Sequence, residues 1–301
     1  MTKYNNKAWL YLAPALVLLI VFMLYPLFDV FVYSFEEDYN SITKTFTGYG
    51  FHNYYKVLTD PYFVKALTNT FTMVIITVPL STMIAVMIAY GLTQIKALHR
   101  IFQTIYFLPY VTNTIAVGLV FLILFGSNNG TPAFINFISR IFTSKPVDFI
   151  NGTHAQKMFV MCFYIIWQVM PFKILVLVGA FESVPKTVYE AARVDGTTKG
   201  RIFRRITLPL VSPMISYLVI TGFIGAFKEY NNAVALFGTN LDQVGMNTIV
   251  GYVYNQLYLE TGGYPSYASS AAIILFFIVL TITFFNIMIT RRSSLSGVDY
   301  A

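Results

Sequence analysis

The sequence predicts an all-α, polytopic integral membrane protein with six transmembrane helices, and three observations carry that prediction. Charged residues are only 11% of the chain while hydrophobic ones reach 56%. A soluble domain carries about 25% charged residues. The apolar residues come in long blocks, and each block reaches the ~20 residues that cross a ~30 Å hydrocarbon core. Lysine and arginine then gather in alternate inter-block segments, as in a membrane protein with one cationic side.

The six blocks span roughly 8–34, 64–93, 101–126, 155–181, 206–231 and 267–290. The first follows Lys3 and Lys7, as a signal peptide would, but its apolar run from Ala8 to Leu24 is longer than a normal signal core. Pro26 and Asp29 stand where a small-residue cleavage site belongs, so the expectation is an uncleaved helix. Segment 94–100 is short, as between adjacent antiparallel helices, whereas 127–154 and 232–266 are longer, rich in Gly, Asn and Pro, and read as outer loops.

With the N-terminus inside, the inner segments hold Lys3, Lys7, Lys96, Arg100, Lys186, Arg193, Lys199, Arg201, Arg204, Arg205, Arg291 and Arg292. The longer outer ones keep Lys44, Lys56, Lys65, Arg140, Lys145 and Lys157, with the acids Glu36, Glu37, Asp38 and Asp60. Both termini are therefore expected to be cytoplasmic. The net charge of +7 is a cytoplasmic belt facing membrane lipid, which leaves no nucleic-acid partner to explain it. Cys162 stands alone inside a block, so it forms no internal disulfide and reads as packing. Without solenoid repeat, low-complexity tract or linker, residues 1–301 read as one membrane domain.

Within it, the inner segment 182–205 carries the most specific pattern. Glu190 to Pro209 reads E-A-A-R-V-D-G-T-T-K-G-R-I-F-R-R-I-T-L-P, a basic island between two apolar blocks. Val188 to Val194 is expected to be a short helix, and Asp195-Gly196 a turn in which glycine supplies positive φ. A second short helix from about Thr197 would be capped by Asp195 or Thr197. Small Ala191 and Ala192 would admit a close partner surface, and Glu190 offers a carboxylate to a partner arginine. Arg201, Arg204 and Arg205 would face lipid phosphates, and Leu208-Pro209 would open the next membrane helix, where proline is tolerated. The chain has no G-x-x-x-x-G-K-[ST] phosphate loop, so ATP, if used, is expected on another polypeptide.

The spacing of Glu190, Ala191, Ala192, Gly196, Ile206, Leu208 and Pro209 resembles the cytoplasmic EAA loop of permease subunits in binding-protein-dependent ABC importers. Seven specified positions coincide by chance about once in 10^9 placements. Trp9 to Leu16, Tyr25-Pro26, Ser34-Phe35, Phe46 to Tyr55, Asp60, Phe63, Ala66, Asn69-Thr70, Leu108-Pro109-Tyr110, Thr248, Tyr252 to Tyr254 and Tyr267 to Ala271 extend the resemblance. Together they are similar to the first permease subunit of maltose and glycerol-phosphate importers. Two places depart from that pattern: Phe237 to Gly245 replaces a T-x-G-G-P run, and Lys173 is unexpected in its helix.

The resemblance implies a type I ABC importer permease fold in a bacterial or archaeal cytoplasmic membrane. It implies a homologous second permease, two ATP-binding subunits holding ATP and Mg, and an external solute-binding protein. The chain itself would hold no cofactor and catalyse nothing. Glu190, Ala191, Ala192, Asp195, Gly196, Gly200, Leu208 and Pro209 would form the loop that docks on the ATPase, and the solute would be a sugar or, alternatively, glycerol phosphate.

For the solute path, residue depth points to Tyr110 and Trp167 near the midplane. Tyr110 and Thr114 would share a helix face, with Asn113 adjacent; Gln168 follows Trp167, and Gly222 and Ala226 give a small-residue face. Aromatic planes beside amides and hydroxyls suit a sugar ring. The resemblance places Tyr110, Thr114 and Trp167 in a sugar pocket, with Gly222, Ala226 and Glu229 facing it.

Among intramembrane charges, Asp29 would either mark an ion path or simply meet water near the outer end of the first helix, Lys228 would sit at the outer boundary, and Glu229 is open. Lys173 would meet either a partner carboxylate or a polar cavity. An ion-driven secondary transporter is the rival reading and would need an acidic pair or broken helices at the midplane. His52, His99 and His154 are too scattered for a metal site or an embedded enzyme.

Overall fold

The computed structural model describes residues 6–95, 110–126, 147–258 and 264–295. Among the described residues, five helical stretches are long and apolar enough to cross a membrane: Trp9–Phe35, Pro61–Thr93, His154–Glu182, Lys199–Phe227 and Pro265–Met288. Thr114–Phe125 is a shorter apolar helix in the third predicted block. Residues 101–109 of that block, and Lys96, Arg100, Arg140 and Lys145, lie outside the described residues.

In chain order the helices are α1 (Asn6–Leu19), α2 (Tyr25–Phe35), α3 (His52–Thr59), α4 (Pro61–Thr93), α5 (Thr114–Phe125), α6 (His154–Glu182) and α7 (Lys186–Val194). Then come α8 (Lys199–Ile202), α9 (Leu208–Phe227), α10 (Asn231–Phe237), α11 (Leu241–Val244), α12 (Ile249–Leu257) and α13 (Pro265–Leu295). The strands β1 (Glu36–Glu37) and β2 (Gly48–Tyr49) pair antiparallel.

Prolines shape two of the spans. Pro26 has no N–H, and its ring would meet the carbonyl four residues back. The chain answers with one wider turn: Ile20–Leu24 is π-helical and Tyr25 N–H reaches back to Ile20 O, so α1 and α2 run on as one span. The same device precedes Pro209, where Phe203–Thr207 is π-helical and Leu208 N–H bonds Phe203 O. Leu208-Pro209 opens α9 as expected, with Pro209 in its first turn, and the π turn joins α9 to α8, so the proline sits inside one continuous helical rod from Lys199 to Phe227.

The chain forms two compact units. The first joins residues 1–64 to 249–277. Asn53, fully buried, ties its end of α2 down: its amide donates to Ser34 O at 3.1 Å and Glu36 O at 2.9 Å. Lys56 pairs with Asp38 at 2.9 Å and donates to the Tyr267 hydroxyl at 2.6 Å, and that hydroxyl donates to Asp38. Tyr252 packs on Phe63 with ring centroids 5.2 Å apart and donates to Asp60 at 2.7 Å.

The second unit, residues 65–248 and 278–301, holds two cores. One gathers Ala85, Ala89 and Leu92 of α4, Leu177, Val178 and Phe181 of α6, and Val211 and Leu218 of α9. The other gathers Val117 and Phe121 of α5, Val160 and Tyr164 of α6, and Ala233, Leu236, Leu241 and Met246 from beyond α9. The start of segment 232–266 is thus not an outer loop. Ala235 of α10 lies so close to Gly118 of α5 that a Cβ on Gly118 would stand 2.4 Å from the Ala235 Cβ. Small residues at 118, 233 and 235 let α10 pack inside the unit, where the polar run before it reads from sequence as an exit to water.

Candidate translocation cavity and coupling loop

A cavity of about 360 Å³ opens inside the second unit. Thr77, Val78 and Ser81 of α4 form one wall, Gln168, Phe172 and Lys173 of α6 another, and Leu218, Gly222 and Ala226 of α9 a third. Tyr110, Glu229 and Asn232 complete it. Tyr110 stacks on Phe172 with centroids 5.5 Å apart and planes 20° from parallel, which presents an aromatic platform. Gln168 lies 14 residues, about 20 Å, along α6 from His154. Glu229, left open by the sequence, lines the same cavity as Gln168.

Five of the residues singled out from sequence, Tyr110, Gln168, Gly222, Ala226 and Glu229, line this cavity. Trp167 instead packs half-buried against the α5–α6 core, with its ring 5.5 Å from Phe121. Tyr110 and Thr114 do not share one helix face. Asn113 is extended, with ψ 125°, and its Oδ1 accepts from the N–H groups of Ile115 and Ala116, so a new helix begins there. Thr114 is a bracket between helices: its carbonyl accepts from Tyr164 at 2.6 Å and its hydroxyl from Gln168 at 2.8 Å.

Charge in the cavity is unevenly answered. Glu229 accepts from both the backbone N–H and the side-chain amide of Asn232, each at 3.0 Å. Lys173, 4% exposed, donates to Ser81 Oγ and Thr82 Oγ1, each at 2.8 Å. Of the two alternatives the sequence leaves for this lysine, the geometry puts it on a polar cavity wall. Two further polar atoms there, Thr77 Oγ1 and Asn232 Oδ1, are buried without a hydrogen-bond partner among the described residues. Sequence reading missed Ser81, Thr82, Thr77 and Asn232. A trace of the signal is the hydroxyl spacing at 77 and 81 inside an apolar block, which puts both on one helix face.

The loop between α6 and α9 is built from α7, a turn and α8. Helix α7 begins two residues earlier than its sequence signal, after Pro185. It ends in a Schellman motif: Gly196 N–H bonds Arg193 O at 3.0 Å, and Thr197 N–H bonds Ala192 O at 3.0 Å. Gly196 holds φ at 68°, the left-handed value this motif requires. Thr198, not Asp195 or Thr197, is the cap residue of α8, with no side-chain hydrogen bond; the Schellman turn takes up residues 195–197 and delays α8 by one position.

On α7, Glu190, Ala191 and Val194 face outward, Val194 at 87% exposure, while Ala192 is buried against its own unit. The expected pair of small outward residues is therefore one, Ala191. Asp195 and Gly200 are exposed, Leu208 is half-buried and Pro209 is exposed. Tyr189 and Phe203 pack against the core that contains Phe181 and Leu218. Phe203 meets Tyr90 of α4 at 4.2 Å between ring centroids. The loop is thus fastened by aromatic contact to the core whose Leu218 also forms part of the cavity wall.

Residues 81–292 match the family described as "Binding-protein-dependent transport system inner membrane component". The arabinooligosaccharides transport system permease protein AraP of Bacillus subtilis is 30% identical over 296 residues, covering 95% of this chain and 90% of that protein. The lactose transport system permease protein LacF of Rhizobium radiobacter is 27% identical over 294 residues, covering 96% and 95%. A chain of a bacterial alginate ABC transporter, solved with an alginate pentasaccharide-bound periplasmic protein, superposes with a TM-score of 0.81 at 21% identity and covers 96% of each chain.

Proposed function

This chain belongs to the family of binding-protein-dependent transport system inner membrane components, and from that premise we propose that it carries a saccharide through the cavity between α4, α6 and α9. It is a multi-pass permease with a type I ABC importer fold. The observation that carries the saccharide reading is the cavity itself. It sets an aromatic platform, Tyr110 on Phe172, opposite amide, hydroxyl and carboxyl groups, two of them buried with unused hydrogen-bonding capacity. A sugar ring offers an apolar C–H face to the first and hydroxyls to the second. The saccharides in the names of AraP and LacF agree with this.

In this reading an external binding protein delivers the solute, and a homologous permease supplies the other half of the pathway. Two separate ATPase subunits bind ATP and Mg and dock on the loop at Glu190, Ala191, Asp195, Gly196 and Gly200, with both termini on the same, cytoplasmic side. Their closure pushes α7, and Tyr189 and Phe203 pass the displacement into the core between α4, α6 and α9. That core includes Leu218 of the cavity wall, so ATPase closure is read out as a change in cavity access.

The test is reconstitution of the importer in proteoliposomes with its ATPase and binding protein, followed by uptake of labelled mono- and oligosaccharides. ATP-dependent uptake is expected, with Glu190→Ala retaining membrane insertion but losing most uptake. Uptake that persists without the ATPase and collapses with an ion gradient would refute the reading in favour of a secondary transporter.

A further inference from the structure

We propose that Lys173 is an anion-recognising group in this cavity, and that the saccharide carried bears a carboxylate. The proposal rests on the saccharide-permease reading and names the class of solute within it.

Lys173 is almost fully buried in α6, yet what holds it is neutral. Its Nζ donates to Ser81 Oγ and Thr82 Oγ1, and both hydroxyls have already committed their own protons to the backbone. Ser81 donates to Thr77 O at 2.5 Å and Thr82 to Val78 O at 2.8 Å. They are therefore fixed as acceptors toward the ammonium. An ammonium has three donors, and two are used here.

Among the described residues Lys173 forms no ion pair. The carboxylate that shares its cavity, Glu229, is engaged by Asn232 through two hydrogen bonds. An intramembrane cation without a counter-ion is costly. A lysine serving only to fill space would be replaced at lower cost by methionine, which needs no partner.

The surroundings leave room for a ligand at that nitrogen. A Cβ added to Gly222 would lie 3.4 Å from Lys173 Nζ, so the bare backbone of α9 keeps the approach open. Thr77 Oγ1 and Asn232 Oδ1 remain to meet sugar hydroxyls, and Tyr110 to cover the ring. A single ammonium balances one carboxylate. A phosphate monoester carries nearly two charges at neutral pH, more than one ammonium balances.

The experiment uses the assembled importer, purified in detergent with its partner subunits, and thermal-shift titration with matched probes. These are a disaccharide, the same disaccharide with its terminal C6 oxidised to a carboxylate, and the same disaccharide carrying a 6-phosphate, in β-1,4- and α-1,4-linked glucose series. In one series at least, the wild type is expected to bind the uronate about tenfold or more tightly than the neutral form. Lys173→Met should abolish that preference, so that uronate and neutral forms bind alike, while Lys173→Arg, which keeps the charge, should retain part of it. Both hydroxyl partners keep their backbone acceptors in Lys173→Met, and the melting point of the unliganded variant checks its fold.

Equal wild-type binding of uronate and neutral forms, a preference that survives Lys173→Met, or tighter binding of the phosphate would each overturn the proposal. So would loss of the partner permease from purified Lys173→Met, which would assign the missing anion to that subunit. Binding of neutral saccharides alone overturns this inference and keeps the saccharide reading. Failure of every probe, together with no saccharide uptake by the reconstituted importer, removes the saccharide reading itself.

Discussion

Replacing Gly196 tests whether the loop transmits force through its backbone shape or through a side-chain contact. Its φ of 68° is left-handed, and a Cβ added there would meet nothing within 4 Å. The cost of a side chain is therefore conformational and not a clash. A β-branched residue in that region is strained by about 1–2 kcal/mol, which shifts a two-state population about 5- to 30-fold. If the strained turn opens, it releases the two hydrogen bonds that fix the end of α7, from Gly196 to Arg193 and from Thr197 to Ala192. Gly196→Val should thus lower uptake per ATP hydrolysed by about 5- to 30-fold in proteoliposomes. Gly196→Asn, whose side chain tolerates positive φ, should stay within about threefold of wild type. Wild-type coupling in the valine variant, or an equal fall in both, would refute a conformational role and leave only steric exclusion at the docking face.

Four further outcomes follow from particular contacts. Tyr110→Ala removes the aromatic platform and should weaken saccharide binding about tenfold with little loss of stability. Trp167→Ala, packed on Phe121 in the core, should instead cost about 3 kcal/mol of stability, read as a lower denaturation midpoint. Asn69→Leu leaves the Gly245 and Asn247 carbonyls without the donors they now receive at 3.1 and 2.9 Å, and should destabilise by about 2 kcal/mol or more. In the first unit, the Tyr267 hydroxyl and then Lys56 hold the Asp38 carboxyl below its ordinary range, and Tyr267 and Asp38 raise Lys56. Their contribution is complete between the ordinary carboxylate and lysine ranges. It is lost as pH falls through the depressed Asp38 value or rises through the raised Lys56 value, and Asp38→Asn should flatten the acid limb of a melting-point profile.

The spans were legible because hydropathy averages over some twenty residues, and block length alone decides them. What that average cannot see is a single extended residue, so the break at Asn113 was hidden, although an asparagine before an apolar run is a helix-start signal. Segment 228–232, K-E-Y-N-N, reads as the exit from the membrane; the small residues that bring α10 back against α5 speak only when Gly118 is seen opposite Ala235. In the cavity, Tyr110, Gln168 and Gly222 stood out by type and depth. Ser81 and Thr82 did not, because hydroxyls in an apolar helix satisfy themselves on its own backbone and look inert. Their second role, as acceptors for a lysine 92 and 91 residues away in sequence, exists only in the fold.

The π turn at Phe203–Thr207 makes α8 and α9 one mechanical member. From Lys199 to Gly222 that rod is about 35 Å long at 1.5 Å per residue. A tilt of about 5° imposed near its loop end sweeps Gly222 through about 3 Å, comparable to the reach of one hydrogen bond. Pro209, which would otherwise interrupt the rod, is accommodated by a wider turn close to the fulcrum. The part of the helix most open to bending thus sits where bending displaces the far end most, and under the proposed docking the length of the segment would set the gain between ATPase movement and cavity shape.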